Sequence, residues 1–320
     1  MARSGPLLAG LLSAAIAAGP ALSAPAQPTP DAKAPDNTLN GVTVTAEKPD
    51  PLVDKATQFV RSHVPENREG QLARFRDRIC VRVAGLPATY GAFIEKRVMQ
   101  VAEAAHARVD RTAGCTANVN VIFSPNPQAQ LDDIAKRREI LFGYYFMSQL
   151  KTLATFSRPI QSWYLTRTVG TDGLDVLELN QSRACISSYA PGTSPCDIKA
   201  PAVTGRAGSR LGTDMSSELV HSLILVDAKK VANAKIGAVA DYIAVLALSR
   251  WQGLERCNAV PTILNLMADN CEGEAPEAAT KADLALLAAL YAVDPRETGA
   301  QQRMSIATRM SQAAKARDAP

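Results

Sequence analysis

The stretch GAVADYIAVLALS, residues 237–249, is almost entirely apolar and holds a single carboxylate, Asp241. Apolar residues on every side of the helical repeat predict a buried helix over residues 236–251. An ionised carboxylate that lacks a partner in such a helix costs several kcal/mol. We therefore expect Asp241 to meet water at the start of the helix, a cation, or hydrogen-bond donors.

Two interpretations of Asp241 follow, and simple exposure to solvent is the third. The acid is structural, paired with Arg183, Arg206 or Arg210 of the preceding loop or hydrogen-bonded to Ser or Tyr. Alternatively, it is a functional acid with a raised pKa in a cleft, which makes it a weak catalytic candidate. Tyr242 beside it suits the core, and together with Arg206 and Arg210 it forms our set of candidate binding residues.

The elements around this helix predict an α+β protein, in which a mixed sheet is covered by helices, most simply on one side. Thr280 and Asp283 match a capping box at the start of a later helix. Alternating or β-branched runs predict strands over 79–86, 118–125, 159–169 and 218–228. Helical spacing predicts helices over 52–64, 90–109, 132–146, 280–293 and 301–316.

The first residues have the layout of a secretory signal peptide. A short basic start precedes the apolar run PLLAGLLSAAIAAGPAL, residues 6–22, and small residues follow. We expect cleavage after Ala26, with a flexible Pro/Ala-rich segment over 27–51, one globular domain over 52–313 and a disordered tail over 314–320. The expected location is periplasmic or secreted, with no membrane span once the signal is removed.

Six cysteines in an exported chain suggest three disulfides. Pairing between neighbours is the simplest of the fifteen possible connectivities, and free buried thiols are the alternative. The neighbouring pairs are Cys80 with Cys115, Cys185 with Cys196, and Cys257 with Cys271.

Several classes of chemistry find no support in the sequence. The net charge of +4 is mild and basic residues alternate with acids, which argues against nucleic-acid binding. The Gly-rich stretch TGRAGSRLGTD, residues 204–214, lacks the lysine of a phosphate loop, and no Gly-x-Ser-x-Gly elbow occurs. His221 could join a spatial Ser-His-Asp triad, but a histidine on a strand is more often structural.

The element order and the residues after the buried helix resemble the catalytic domain of metzincins, a class of zinc metallopeptidases. The C-terminal helix in that class often carries an Asp and ends in Leu-Tyr, as Asp283 and Leu290-Tyr291 do here. The segment PTILNLMADNC, residues 261–271, places Met267 where the class has its Met turn. The sequence DYIA, followed by ILNL and DLALLAALY, also resembles exported bacterial proteins.

The resemblance implies a zincin-like fold from which the zinc ligands are missing. The class carries His-Glu-x-x-His on its catalytic helix, where this chain has Asp241, Tyr242 and, four residues after Asp241, Val245. The histidines His63, His106 and His221 are all more than four residues apart. We therefore expect no metal and no cofactor.

The sequence thus favours an exported, disulfide-stabilised protein that binds an unidentified peptide or protein and is not a recognisable enzyme. A cleft that holds an extended peptide can keep that use after catalysis is lost. The alternatives are a hydrolase with an unrecognised site near Asp241 and a structural component of the cell envelope.

Overall fold

The computed structural model describes residues 51–67, 70–137, 139–143, 147–170, 175–176, 215–271 and 275–315. Within them, a mixed six-stranded sheet organises the fold. The strands are Arg74–Phe75 (β1), Val81–Ala84 (β2), Val119–Ser124 (β3), Ile160–Gly170 (β4), Asp175–Val176 (β5) and Met215–Asp227 (β6).

The strand order is β2-β3-β6-β4-β5, and β1 pairs with the start of β6. β1, β2 and β3 run parallel to their partners, whereas β4 is antiparallel to β6 and β5 is antiparallel to β4. Val121 of β3 lies opposite Ile224 of β6, and Trp163 of β4 lies opposite Leu223. The mixed sheet and its helices confirm the predicted α+β class.

Seven α-helices surround the sheet in the described residues. The helix after β2 returns the chain to the parallel strand β3, which is the usual use of a crossover helix. The helices are Pro51–His63 (α1), Ala88–Ala104 (α2), Pro127–Arg137 (α3), Leu150–Leu153 (α4), Ile236–Leu248 (α5), Lys281–Ala292 (α6) and Gly299–Lys315 (α7).

Both faces of the sheet are covered, where the sequence favoured one. Ile224 and Val226 of β6 belong to the main core, which also contains residues of α2, α5, α6 and α7. Leu223 and Leu225, which alternate with them, join a second core with Leu131 of α3. Strand β6 is apolar on both sides, so a second layer must cover its other face.

The last four carbonyl groups of α5 all accept hydrogen bonds from side chains. Such carbonyls have no partner within their own helix, and α5 is buried along 11 of its 13 residues. The donors belong to β4, to β6, to α6 and to the loop after α5, which fixes the helix against all of them. The bonds run from Trp251 to Val245, from Tyr164 to Leu246, from Ser222 to Ala247 and from Tyr291 to Leu248.

Each predicted helix and strand overlaps a described element, with shifted boundaries. The helix predicted over 132–146 corresponds to α3, which ends at Arg137 and is followed by the 3₁₀ helix Glu139–Phe142. The helix predicted over 90–109 ends at Ala104, and His106 follows in the left-handed conformation with φ of 62°. Here Ala107 N–H donates to the carbonyl of Ala102, as in a Schellman motif. His106 is therefore an exposed residue beyond the helix rather than a side chain at its apolar boundary.

Parts of the predicted organisation lie outside the described residues. These are the leader over 1–26, the segment over 27–50 and residues 316–320. Residues 314 and 315 belong to α7 rather than to a tail. Among the helices that the structure describes, none has both the length and the apolar character that a membrane crossing requires.

Candidate functional site

Asp241 is enclosed by donors from two other segments of the chain. Its side chain is 1% exposed. Both carboxylate oxygens accept from the guanidinium of Arg97 on α2, with the Nη2–Oδ2 distance at 2.8 Å. The backbone N–H of Ala279, just before α6, donates to Oδ2 at 2.7 Å. The hydrogen bond to the carboxylate raises the pKa of Arg97.

This geometry gives Asp241 a structural task. A bidentate arginine and a backbone donor occupy the lone pairs that a catalytic acid would use. The carboxylate joins α2, α5 and the entry to α6 at one buried point. The cation is Arg97, from a helix far away in sequence, rather than an arginine of the preceding loop. Arg183, Arg206 and Arg210 lie outside the described residues.

Tyr242 lies close to Arg158 and to Tyr164 of β4. It is 1% exposed and belongs to the main core. Burial raises its pKa to about 12, and the nearby charge of Arg158 lowers it in part. Burial likewise raises the pKa of Tyr164, whose hydroxyl caps α5. Both phenols therefore stay protonated at neutral pH, and neither is poised to act as a base.

A core residue, Val245, stands at the position that the metzincin resemblance assigns to a second zinc ligand. Val245 is fully buried, and its carbonyl accepts from Trp251. In the residues that the structure describes, no group of three or more His, Cys, Asp or Glu side chains could hold a metal ion.

His221 lies on β6, on the sheet face opposite α5. Its Nε2 is 2.7 Å from the amide nitrogen of Asn120 on β3. Its Nδ1 is buried without a partner, and burial lowers the pKa of the ring. The described residues bring no hydroxyl or carboxylate into hydrogen-bond contact with this imidazole. His221 and Asp241 thus lie on separate sides of the sheet and form no common constellation.

Asp283 is also buried, at 3% exposure, and completes the capping box predicted with Thr280. Its carboxylate accepts from the hydroxyl of Thr262 at 2.5 Å and from the backbone N–H of Ile263. Burial raises the pKa of Asp283, and these hydrogen bonds oppose the rise. The acid therefore anchors the 3₁₀ helix Ile263–Met267 to α6, a contact beyond the local cap.

Two disulfides are described. Cys80 pairs with Cys115, and Cys257 pairs with Cys271, both as predicted. The first joins the start of β2 to the loop before β3, and the second closes the loop between α5 and α6. Cys185 and Cys196 lie outside the described residues.

A groove of about 740 Å³ lies among α1, the loop at 259–261, the start of α6 and the end of α7. Alanines form much of its lining, and their small side chains leave space between the helices that meet here. Its apolar lining includes Leu52, Ala56, Val260, Pro261, Ala282 and Met310.

Two lysines, Lys55 of α1 and Lys281 of α6, stand at the rim of this groove. Both are exposed, and neither forms an ion pair within the described part of the chain. Sequence reasoning missed the groove because its walls come from four segments far apart in the chain. Leu52, an apolar residue in the first turn of α1, is the local feature that could have pointed to the groove. In the structure its side chain is 38% exposed.

Comparisons of this chain with protein-family profiles, with curated proteins and with solved structures give no match.

Proposed function

We propose that this chain is an exported, non-catalytic protein that binds a peptide or protein segment in the groove between α1, α6 and α7. The observation that carries the proposal is an apolar groove whose rim lysines form no ion pair within the described residues. The volume of about 740 Å³ lies within the range of sites that hold small ligands or a few side chains of a peptide.

The lining indicates the chemistry of the bound segment. Leu52, Val260 and Met310 offer apolar contact, so the segment should insert two or three apolar side chains. Lys55 and Lys281 favour a segment with acidic residues next to those apolar anchors. A short amphipathic helix or an extended peptide with Asp or Glu beside Leu or Phe meets both requirements.

Export is part of the proposal. Disulfides persist in oxidising compartments and are rare in the cytosol, and the two described pairs agree with such a compartment. Residues 1–26, which resemble a secretory signal peptide, would direct the chain to export.

We also propose that the fold is metzincin-like and without zinc. α5 follows directly after β6, and the 3₁₀ helix with Met267 comes between α5 and α6. Leu290-Tyr291 closes α6, and the Tyr291 hydroxyl donates to the last carbonyl of α5. In this proposal the protein binds a peptide in the groove, away from α5, and has lost the catalytic activity that metzincins carry on the corresponding helix.

A peptide-display selection on the exported protein tests the proposed function. We expect enriched peptides to combine apolar and acidic residues, and their affinity to fall at high salt. Lys55→Glu with Lys281→Glu should weaken binding about tenfold, since each exposed charge pair contributes up to about 1 kcal/mol. Ala313→Trp, which fills the groove, should abolish it. Lys151→Glu on α4 is the matched control and should bind normally.

Two outcomes would contradict the proposal. One is a set of enriched peptides whose binding is unaffected by both groove variants. The other is cleavage of the selected peptides, detected by mass spectrometry and lost in Asp241→Asn, which would support the hydrolase instead.

A further inference from the structure

Helices α2 and α5 both begin at the same edge of the sheet. β2 leads into α2 and β6 leads into α5, and parallel strands place their carboxyl ends together. Contacts between the loops show this closeness: the backbone of Gly85 packs against the carbonyl of Phe123, and Ala228 N–H donates to the carbonyl of Ser124.

The ion pair between Arg97 and Asp241 sets how the two helices lie side by side. Both helices run back from the carboxyl edge, so they are roughly parallel to each other. Phe93 lies four residues before Arg97, and Gly237 lies four residues before Asp241. Residues four apart share a helix face, so Phe93 lies beside the first turn of α5, which begins with Ile236.

Three large hydrophobic side chains are exposed at this edge. Tyr90 is 53% exposed, Phe93 43% and Ile236 39%. They are three of the five large exposed hydrophobic residues in the described part of the chain. Tyr90 and Phe93 are three residues apart and lie on one stripe of α2. We call Tyr90, Phe93 and Ile236 the edge patch.

Three exposed lysines belong to the same helix or to the same sheet edge as the edge patch. Lys96 continues the stripe of α2 beyond Phe93, and Lys229 and Lys230 lie in the turn after β6. The Asp227 carboxylate accepts from the backbone N–H groups of both turn lysines, which holds the turn in place. None of the three ammonium groups forms an ion pair within the described residues.

The acids near this edge have other partners. Glu95 accepts from the backbone N–H of Val83. Glu277 pairs with a fourth lysine, Lys235. Because a backbone hydrogen bond leaves a carboxylate charged, the residues named here carry four lysine charges (Lys96, Lys229, Lys230 and Lys235) against three acids (Asp227, Glu95 and Glu277), a net positive charge of one.

We propose that the edge patch docks on an anionic lipid surface. The patch consists of exposed side chains on two neighbouring helices, which suits a broad partner surface rather than an inserted peptide. Aromatic and aliphatic side chains next to lysines are the combination that sits at the headgroup boundary of a membrane. Each lysine near an anionic surface strengthens binding about fivefold.

Co-sedimentation with vesicles tests this inference, on protein isolated after export with its N terminus read by mass spectrometry. We expect binding to vesicles that mix phosphatidylcholine with phosphatidylglycerol, little binding to phosphatidylcholine alone, and release at high salt. Lys229→Gln with Lys230→Gln should weaken binding about 25-fold. Phe93→Ser with Ile236→Ser should reduce it at least tenfold.

The matched control is Met304→Ser with Lys151→Gln, which removes an exposed hydrophobic residue of α7 and an exposed lysine of α4 that belong to neither the edge patch nor the groove. It should bind as the parent protein does. Circular dichroism and melting curves check that every variant is folded. The inference is overturned if anionic vesicles do not retain the protein, or if the edge variants and the control bind equally.

Discussion

The guanidinium of Arg97 donates hydrogen bonds to both carboxylate oxygens of Asp241 across the interface between α2 and α5. The pair links the crossover helix to α5, which is buried along 11 of its 13 residues. A third bond, from Ala279, extends the link to the segment that enters α6. The acid that interrupts the apolar stretch of α5 thus connects three segments of the core.

Asp241→Asn should lower the free energy of unfolding by about 2–3 kcal/mol. Breaking a buried pair costs more than that when both partners are buried, but the Arg97 side chain is 37% exposed and can be hydrated. Chemical denaturation measures the loss. Glu103→Gln, which breaks the exposed pair with Arg111, is the control and should cost less than about 1 kcal/mol. Equal effects of the two variants would refute the structural assignment.

His221 should make the protein less stable below pH 6.5. Burial lowers the pKa of the folded-state imidazole from its ordinary 6.5, so the unfolded chain binds the extra proton first. The free energy of unfolding is then retained above pH 6.5 and falls as the pH drops towards the folded-state pKa, by at most about 1.4 kcal/mol per pH unit. The free energy of unfolding, measured by denaturation at several pH values, should depend less on pH in His221→Gln. A pH dependence that is the same in His221→Gln as in the parent would contradict this prediction.

His106→Gly should stabilise the protein by about 1 kcal/mol. The residue has φ of 62°, a conformation that glycine adopts without strain. Ala92→Gly, at an exposed position inside α2, should instead destabilise by about 1 kcal/mol. Thermal melting distinguishes the two variants. A loss of stability in His106→Gly would mean that its side chain contributes more than its backbone costs.

The two described disulfides should contribute unequally. The separation is 35 residues for Cys80–Cys115 and 14 for Cys257–Cys271. Loop-closure entropy then predicts losses of about 4 and about 3 kcal/mol when each pair is replaced by alanines. Denaturation of the two double variants checks the order, and mass spectrometry under non-reducing conditions checks that the other bridge remains. A larger loss for Cys257–Cys271 than for Cys80–Cys115 would show that the native contacts of the former outweigh the difference in loop-closure entropy.

Asp283→Ala should cost more than a simple helix cap. Loss of a cap costs about 1 kcal/mol, whereas Asp283 also holds Thr262 and Ile263. Leaving those buried donors unpaired adds about 1–3 kcal/mol. Thr280→Ala removes the cap hydroxyl and leaves the backbone contact to Ile263, so it should cost about 1 kcal/mol. Equal losses in calorimetry would show that only the cap matters.

The sequence by itself determined most of the long helices and strands and part of their local chemistry, but not the short elements β1, α4 and β5. Apolar periodicity located α5, β3 and β6, and the spacing of Thr280 and Asp283 predicted a capping box that the structure contains. Neighbour pairing predicted both described disulfides. These features depend on residues close together in the chain, where side-chain spacing and backbone geometry act directly.

Only the tertiary structure decided which distant residues meet. Arg97 and Asp241 are 144 residues apart in the chain, and no local pattern marks them as partners. The groove needs α1 to lie against α7, and the edge patch needs α2 beside α5. All four helices pack in the main core over one face of the sheet, because buried apolar area, rather than residue order, determines which surfaces meet.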